Sequence, residues 1–276
     1  MKIKDREISH KTNPLIIAEI GINHGGDLNL AKKIVDLAEK SGCEIVKHQT
    51  HFVEDEMTDE AKSIFPPNAE KSIWEVIDEC SLSRDDEIKL KKHTENKGMI
   101  YFSTPFSRSA ADFLNDIGVP AFKIGSGESD NLPLIEHICQ FNKPIIMSTG
   151  MQSIETIKKS VKIIEDSNID YALLECTNLY PSPPEIVSLK GILELKKEFP
   201  NALIGFSDHS IGPIISLSSI ALGACIIERH FTDSRYRIGP DISCSMDPAE
   251  LKFIIDRSKE IFIATTNPKM RSKSEE

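Results

Sequence analysis

Short apolar runs recur along the chain, each too brief for a helix and each followed by polar, helix-patterned sequence. They are "LIIAEIGIN" (15–23), "EIVKHQT" (44–50), "MIYFSTPF" (99–106), "AFKIGSG" (121–127), "KPIIMSTG" (143–150), "YALLECTN" (171–178), "ALIGFSDHS" (202–210) and "CIIERHFT" (225–232). Runs apolar on both faces read as buried parallel strands. Between them, "LNLAKKIVDLAEKSG" sets Leu30, Ile34, Leu37 and Ala38 on one helical face and stops at Gly42. "SIETIKKSVKIIEDS" opens with Ser153 and carries Ile157, Val161 and Ile164, while "DPAELKFIIDRSKEIF" offers Asp247 as a cap and Pro248 in its first turn.

Eight strands with helical connections predict a (β/α)8 TIM barrel, a fold of typically about 250 residues. It would occupy residues 1–267 as a single domain, with 268–276 as a charged tail. A doubly wound sheet is the runner-up, disfavoured because no Gly-x-Gly-x-x-Gly follows the first strand. The segment from about 51 to 82, after the second strand, is longer than an ordinary loop and holds Trp74, the one tryptophan. It reads equally as a substrate-covering excursion or as a surface insertion.

In such a barrel the C-terminal strand ends carry the site, and the period of two sorts inward from outward positions. Glu19, Gly21 and Asn23 share a face, as do Lys47 and Gln49, Phe102 and Thr104, Cys176, Asn178 and Tyr180, Ser207 and His209, and Glu228 and His230. His48 falls on the opposite face from Lys47 and is expected to pack outward against a helix. His51 opens the excursion and receives no role. Glu19, Lys47, Lys123 and Glu228 break an otherwise apolar interior, and buried charges require partners or ligands. Structural ion pairs are one reading and a site is the other; several charges at one end of the barrel favour the site.

Lys47 and Lys123, with Ser126, Ser148 and the turn Gly125–Gly127, suit a doubly charged anion. His209 and His230 end consecutive strands, and two neutral imidazoles with water and a substrate oxygen suit Mn²⁺, Fe²⁺ or Zn²⁺. His10, His93 and His137 lie on the terminus or on helices and read as ordinary.

Composition narrows the function classes. The 276 residues are 39% hydrophobic and 28% charged, with a net charge of −10. That balance argues against a nucleic-acid partner, although locally clustered lysines still admit an anionic small substrate. No apolar run approaches the roughly 20 residues of a membrane span, and the opening "MKIKDREISHKTN" lacks the apolar centre of a signal peptide. Six scattered cysteines without a C-x-x-C pair argue against disulfides or structural zinc and suit a cytoplasmic protein.

The motifs "IIAEIGINHGGDLNLAKKIVDLAEKSG", "EIVKHQTHFVEDEM", "GMIYFSTPFSRSAADFL", "FKIGSGES", "PIIMSTGM", "LLECTNLYPSP", "IGFSDHS" and "IERHFTDSRYRIGPDISCSM" occur in that order from about residue 14 to 260. Together they resemble the catalytic domain of bacterial N-acetylneuraminate (sialic acid) synthases, a TIM barrel. The resemblance implies metal-dependent condensation of phosphoenolpyruvate with N-acetylmannosamine, releasing phosphate, with Mn²⁺ the usual ion and Mg²⁺ or Co²⁺ as alternatives.

By the resemblance His209 and His230 are the metal ligands. Lys123, Ser126, Ser148 and Asn178 hold the phosphate, and Lys47 and Thr104 the carboxylate of phosphoenolpyruvate. Gln49, Asn68, Tyr180 and Asp241 contact the sugar, and Glu19 and Glu128 act as catalytic or orienting carboxylates. The family usually continues into a C-terminal antifreeze-like domain that completes the sugar site in a domain-swapped dimer. This sequence is expected to lack that domain, which leaves its own homodimerisation open. Glu175 stands where histidine is frequent and, pointing away from Asn178, is expected to matter little.

Three other readings remain. A legionaminic or pseudaminic acid synthase would take a diacetamido-trideoxyhexose. An aldolase would use Lys123 as a Schiff-base lysine or the two histidines as metal ligands. A non-catalytic barrel would bind phosphoenolpyruvate or sugar and regulate a partner.

Overall fold

The computed structural model describes residues 1–65 and 70–267. A short antiparallel hairpin, β1 (Lys2–Ile3) and β2 (Arg6–Glu7), precedes eight parallel strands. These are β3 (Leu15–Gly21), β4 (Ile45–Thr50), β5 (Ile100–Pro105), β6 (Phe122–Ile124), β7 (Ile145–Ser148), β8 (Tyr171–Cys176), β9 (Leu203–Ser207) and β10 (Ile226–His230). They pair in sequence order, and β10 closes on β3. Each apolar run of the sequence holds one strand of this (β/α)8 barrel. Apart from β4, which ends with its run at Thr50, the strands end one to three residues short of the runs because the last polar positions turn into the loops of the mouth. The hairpin was not expected, since two-residue strands carry too little alternation to be seen.

The helices outside the barrel are α1 (Leu28–Lys40), α2 (Val53–Glu56), α3 (Ile73–Cys80), α4 (Arg84–Asn96), α5 (Arg108–Asp116), α6 (Leu132–Cys139), α7 (Ile154–Asp166), α8 (Lys190–Glu198), α9 (Ile214–Ala221) and α10 (Pro248–Thr266). The expected caps are in place. The Ser153 side chain accepts from the Thr156 N–H, and Asp247 accepts from Glu250 N–H ahead of Pro248. Each satisfies one of the amides that a helix start leaves without a partner. Among the described residues no helix is long and apolar enough to cross a membrane.

One core fills the barrel and the layer between strands and helices. Ile45, Phe102, Ile146 and Leu174 are fully buried on the same strand faces as Lys47, Thr104, Ser148 and Cys176. Apolar side chains therefore plug the lower barrel, and the polar ones reach the mouth. Gly205 permits the tight closure of β8 and β10 around β9. A Cβ there would lie 2.5 Å from Leu174 Cδ2 and 2.6 Å from the Ile226 carbonyl oxygen.

The excursion after β4 folds as a small unit of its own. It comprises α2, a 3₁₀ turn (Asp59–Ser63) and α3, packed around Val53, Ala61 and Trp74. Ser72 and Glu75 form a capping box at the start of α3. At its base, Asp55 accepts a hydrogen bond from Ser109 of α5, and Phe52 meets Phe113 edge-on. The unit is thereby fixed beside the mouth.

Candidate functional site at the barrel mouth

Strands β3 to β10 deliver a polar cavity of about 220 Å³ at the C-terminal end of the barrel. Its walls include Glu19, Lys47, Gln49, Thr104, Lys123, Ser126, Ser148, Asn178, Tyr180, His209, Glu228 and His230. A larger cleft of about 620 Å³ lies at the opposite pole between the hairpin and α10. Among the described residues it gathers no comparable set of buried ionisable groups, and the barrel mouth is the chemically equipped site.

Four buried charges form its floor. Lys47 Nζ is 2.8 Å from Glu19 Oε1 and 3.9 Å from Glu228 Oε1, and Lys123 Nζ is 3.6 Å from Glu228 Oε1. Burial pushes Glu19 up to about 7; the charge of Glu228 adds to the rise and Lys47 opposes it. Against burial, Lys123 and Lys47 hold Glu228 below the usual carboxylate range. Burial, aided by Lys47, lowers Lys123, whereas Glu19 and Glu228 raise Lys47 against its burial. Close carboxyls split in this way give one firmly ionised group and one that exchanges a proton near neutrality.

Hydroxyls surround the lysines. Lys47 donates to Thr104 Oγ1 at 2.9 Å, and Lys123 donates to Ser148 Oγ at 2.8 Å. The Gly150 N–H donates to Ser126 Oγ at 3.1 Å. Glycine is required at 150, because a Cβ would fall 2.0 Å from Asn178 Oδ1. The six residues assigned to phosphoenolpyruvate from the sequence thus line one cavity.

The opposite wall is aromatic. The Tyr180 ring lies 4.0 Å from that of His209 and 5.7 Å from that of His230, centroid to centroid. His209 Nδ1 is 2.9 Å from the Thr177 carbonyl oxygen. An N–H must donate there, so Nε2 keeps the lone pair. His230 Nδ1 is buried, has no hydrogen-bond partner among the described residues and lies 3.5 Å from Asp241 Oδ2. Burial holds both imidazoles below their ordinary range, His230 well below it, and therefore uncharged. Two basic nitrogens on neutral rings, one of them unpartnered, fit a divalent ion. Among the described residues no group of three or more candidate ligands converges, so the remaining positions would fall to water and substrate oxygens.

Gln49 donates to Glu19 Oε1 at 2.9 Å, and its own Oε1 lies 3.2 Å from His51 Nε2. His51 in turn sits 3.0 Å from Glu56 Oε1 of α2 and stacks on Phe106 at 4.1 Å. His51 is thus a member of the site's frame that the sequence reading left without a role. Its polar partners lie two and five residues away, a spacing no regular element advertises. Glu228 was read as an interior charge but given no task; it is the shared partner of both lysines.

Asp241 stands beside His230, and burial pushes it up to about 6. Glu128 does not line the cavity: its Oε2 accepts from Asn131 in the turn after β6, and burial raises it. Asn68 lies outside the described residues.

Comparison with known proteins agrees with this architecture. A family profile described as NeuB family matches residues 34–269. The N,N'-diacetyllegionaminic acid synthase of Campylobacter jejuni is 37% identical over 95% of this chain and 80% of its own. The human N-acetylneuraminate-9-phosphate synthase is 36% identical over 87% of this chain and 68% of its own. The crystal structure of an N-acetylneuraminic acid (sialic acid) synthetase from Leptospira borgpetersenii, in complex with citrate, superposes with a TM-score of 0.90 at 30% identity, covering 100% of this chain and 93% of that one. The chain therefore belongs to the NeuB family, and is an enzyme of the synthase kind that its named relatives represent.

Proposed function

We propose that the chain joins the methylene carbon of phosphoenolpyruvate to the aldehyde carbon of N-acetylmannosamine, forming N-acetylneuraminate and releasing phosphate. One juxtaposition carries this reading: two buried lysines ringed by hydroxyls face two uncharged imidazoles across a single small cavity. The first set suits an anion with a carboxylate and a phosphate, and the second a cation and a sugar oxygen.

Lys47 and Thr104 hold the carboxylate, while Lys123, Ser126, Ser148 and Asn178 hold the phosphate. This fixes the methylene carbon toward the histidine wall. His209 and His230 would hold a divalent ion, Mn²⁺ in the first instance, which supplies Lewis acidity to the open-chain aldehyde. Carbon–carbon bond formation leaves positive charge at the carbon bearing the phosphate ester. The aldehyde oxygen takes a proton from Glu19, which titrates near neutrality; water then adds at the positive carbon, and the ionised Glu19 takes its proton. The carbon–oxygen bond to phosphate then breaks, and the two lysines offset the departing charge.

The test is phosphate release from phosphoenolpyruvate with Mn²⁺ and each sugar, using substrate labelled with ¹⁸O at the bridging oxygen. Release with N-acetylmannosamine, with the label recovered in phosphate, is the expected result. Release only with a diacetamido-trideoxyhexose would move the product to the legionaminic type that the name of the Campylobacter relative gives. Binding of phosphoenolpyruvate without release under any condition would reduce the protein to a binding barrel. Borohydride trapping of a substrate on Lys123 would replace the condensation by a Schiff-base aldolase.

A further inference from the structure

A second buried polar cluster lies outside the barrel wall, behind the site, and the chemistry above does not use it. His24, His48 and Glu87 are each 1% exposed. They come from the loop after β3, from β4 and from α4.

Their hydrogen bonds run in one direction. The Gly26 N–H donates to His24 Nδ1 at 3.2 Å, so the neutral ring carries its proton on Nε2. Burial, with His48 adding to it, lowers His24 to about 3 and keeps it neutral. His24 Nε2 is 3.0 Å from His48 Nε2, which must accept. That leaves the proton of His48 on Nδ1, facing Glu87 Oε1 at 3.4 Å. The same oxygen receives Thr50 Oγ1 at 2.5 Å and Tyr101 Oη at 2.8 Å. The carboxylate accepts two hydrogen bonds and lies within ion-pair range of His48 Nδ1, which makes no hydrogen bond of its own among the described residues.

The position of this chain gives it a task. The β3–β4 ladder slips between Glu19 and Gly21, and its last pair is Gly21 with His48. Beyond that last pair no backbone ladder joins the two among the described residues, and the imidazole pair continues the connection. The loop so held abuts the site. A Cβ at Gly21 would lie 3.2 Å from both Gln49 Nε2 and Glu19 Oε1. Asn23 Nδ2 donates to the Phe231 carbonyl oxygen at 3.0 Å and to Ser245 Oγ at 2.9 Å, tying the loop to the end of β10 and the segment of Asp241.

We propose that His24, His48 and Glu87 are positioning residues: the His24–His48 hydrogen bond, backed by the Glu87 carboxylate, locks the loop after β3 onto β4 and so sets Gln49 and the Asp241 segment for the acceptor sugar. The phosphoenolpyruvate lysines lie on the other side of the bulge: Lys123 is held by Ser148 and Glu228, and Lys47 by Thr104 and Glu228 as well as by Glu19, the one partner it shares with Gln49. This assignment of effect to the sugar rests on the function proposed above.

Two measurements test it. Histidine ¹⁵N spectra of the wild-type protein, which need no activity, should show His24 as the Nε2–H and His48 as the Nδ1–H tautomer; the reverse tautomers would overturn the chain. Kinetically, His24→Leu and His48→Phe should each raise KM for the sugar about tenfold, with KM for phosphoenolpyruvate changed less than about twofold. The double variant should be no worse than the poorer single one. His24→Gln, which retains a donor toward His48, should recover most of the loss. An unchanged sugar KM, or equal losses for both substrates, in variants whose melting point still rises with phosphoenolpyruvate would overturn the positioning role. If the wild type turns over no sugar, the proposed reaction fails, and the tautomers still decide the chain.

Discussion

Lys123 Nζ lies 3.6 Å from Glu228 Oε1, the same carboxyl oxygen that stands 3.9 Å from Lys47 Nζ. One glutamate thus stands between the two lysines, with Glu19 as the nearer partner of Lys47. Glu228→Gln should leave Lys123 without a carboxylate and destabilise the protein by about 3–5 kcal/mol, as broken buried pairs do. Inorganic phosphate should restore part of that loss. Thermal unfolding with and without phosphate checks it: the melting point should rise more in the variant than in the wild type, and equal shifts would contradict the pairing.

His209→Ala and His230→Ala should each lower metal-dependent turnover by about a thousandfold or more, the scale of several kcal/mol of charge stabilisation. Far-UV circular dichroism should not change, because both side chains face the cavity. A chelator should abolish wild-type turnover and Mn²⁺ should restore it. Near-normal activity in either variant would remove that histidine from the ligand set.

Gly21 has φ +47° and Gly98 has φ +75°. Alanine at either position should cost about 1–2 kcal/mol of left-handed strain. Only at Gly21 does the new methyl meet site residues; at Gly98 nothing lies within 4 Å. Gly21→Ala should therefore lower turnover about tenfold or more, while Gly98→Ala lowers the melting point alone. Comparable activities in the two variants would show that the loop's closeness to Gln49 is immaterial.

Burial pushes the Glu175 carboxyl, on the outer face of β8, up to about 7, with Glu194 adding to the shift. A raised carboxyl binds its proton in the folded state before it does in the unfolded chain, so stability falls as pH rises from about 4.5 through 7. Glu175→Gln should stabilise the protein above pH 7 by about 1–3 kcal/mol, with the gain vanishing near pH 4. Denaturant midpoints across that range measure it, and turnover should stay at the wild-type level.

The barrel was legible because both of its signals are local. Runs apolar on both faces mark strands, and alternation within them separated Lys47 and Gln49, which face the mouth, from His48, which packs outward against Glu87. Glu87 itself was not legible. It sits in the acidic first turn of α4, among residues that read as a solvated helix start, yet its partners Thr50 and Tyr101 are 37 and 14 residues away. His51 escaped notice for a related reason, since its task depends on how the excursion folds back through Glu56. Asp241 reaches His230 through an irregular turn, and only the family resemblance pointed to it.

The floor of Glu19, Lys47, Glu228 and Lys123 sums to no net charge when all four are ionised. Phosphoenolpyruvate brings a carboxylate and a phosphate of about −1.5 to −2, so its arrival makes the interior strongly anionic unless a cation enters with it. Glu19, already near 7, is the group best able to respond. On the reaction proposed above, the mouth would act as an ion exchanger, admitting the anion together with a proton drawn from solvent. Between pH 7 and 8, binding heats measured in buffers of different ionisation enthalpy should reveal that uptake, and affinity for the anion should weaken as the solution becomes more alkaline.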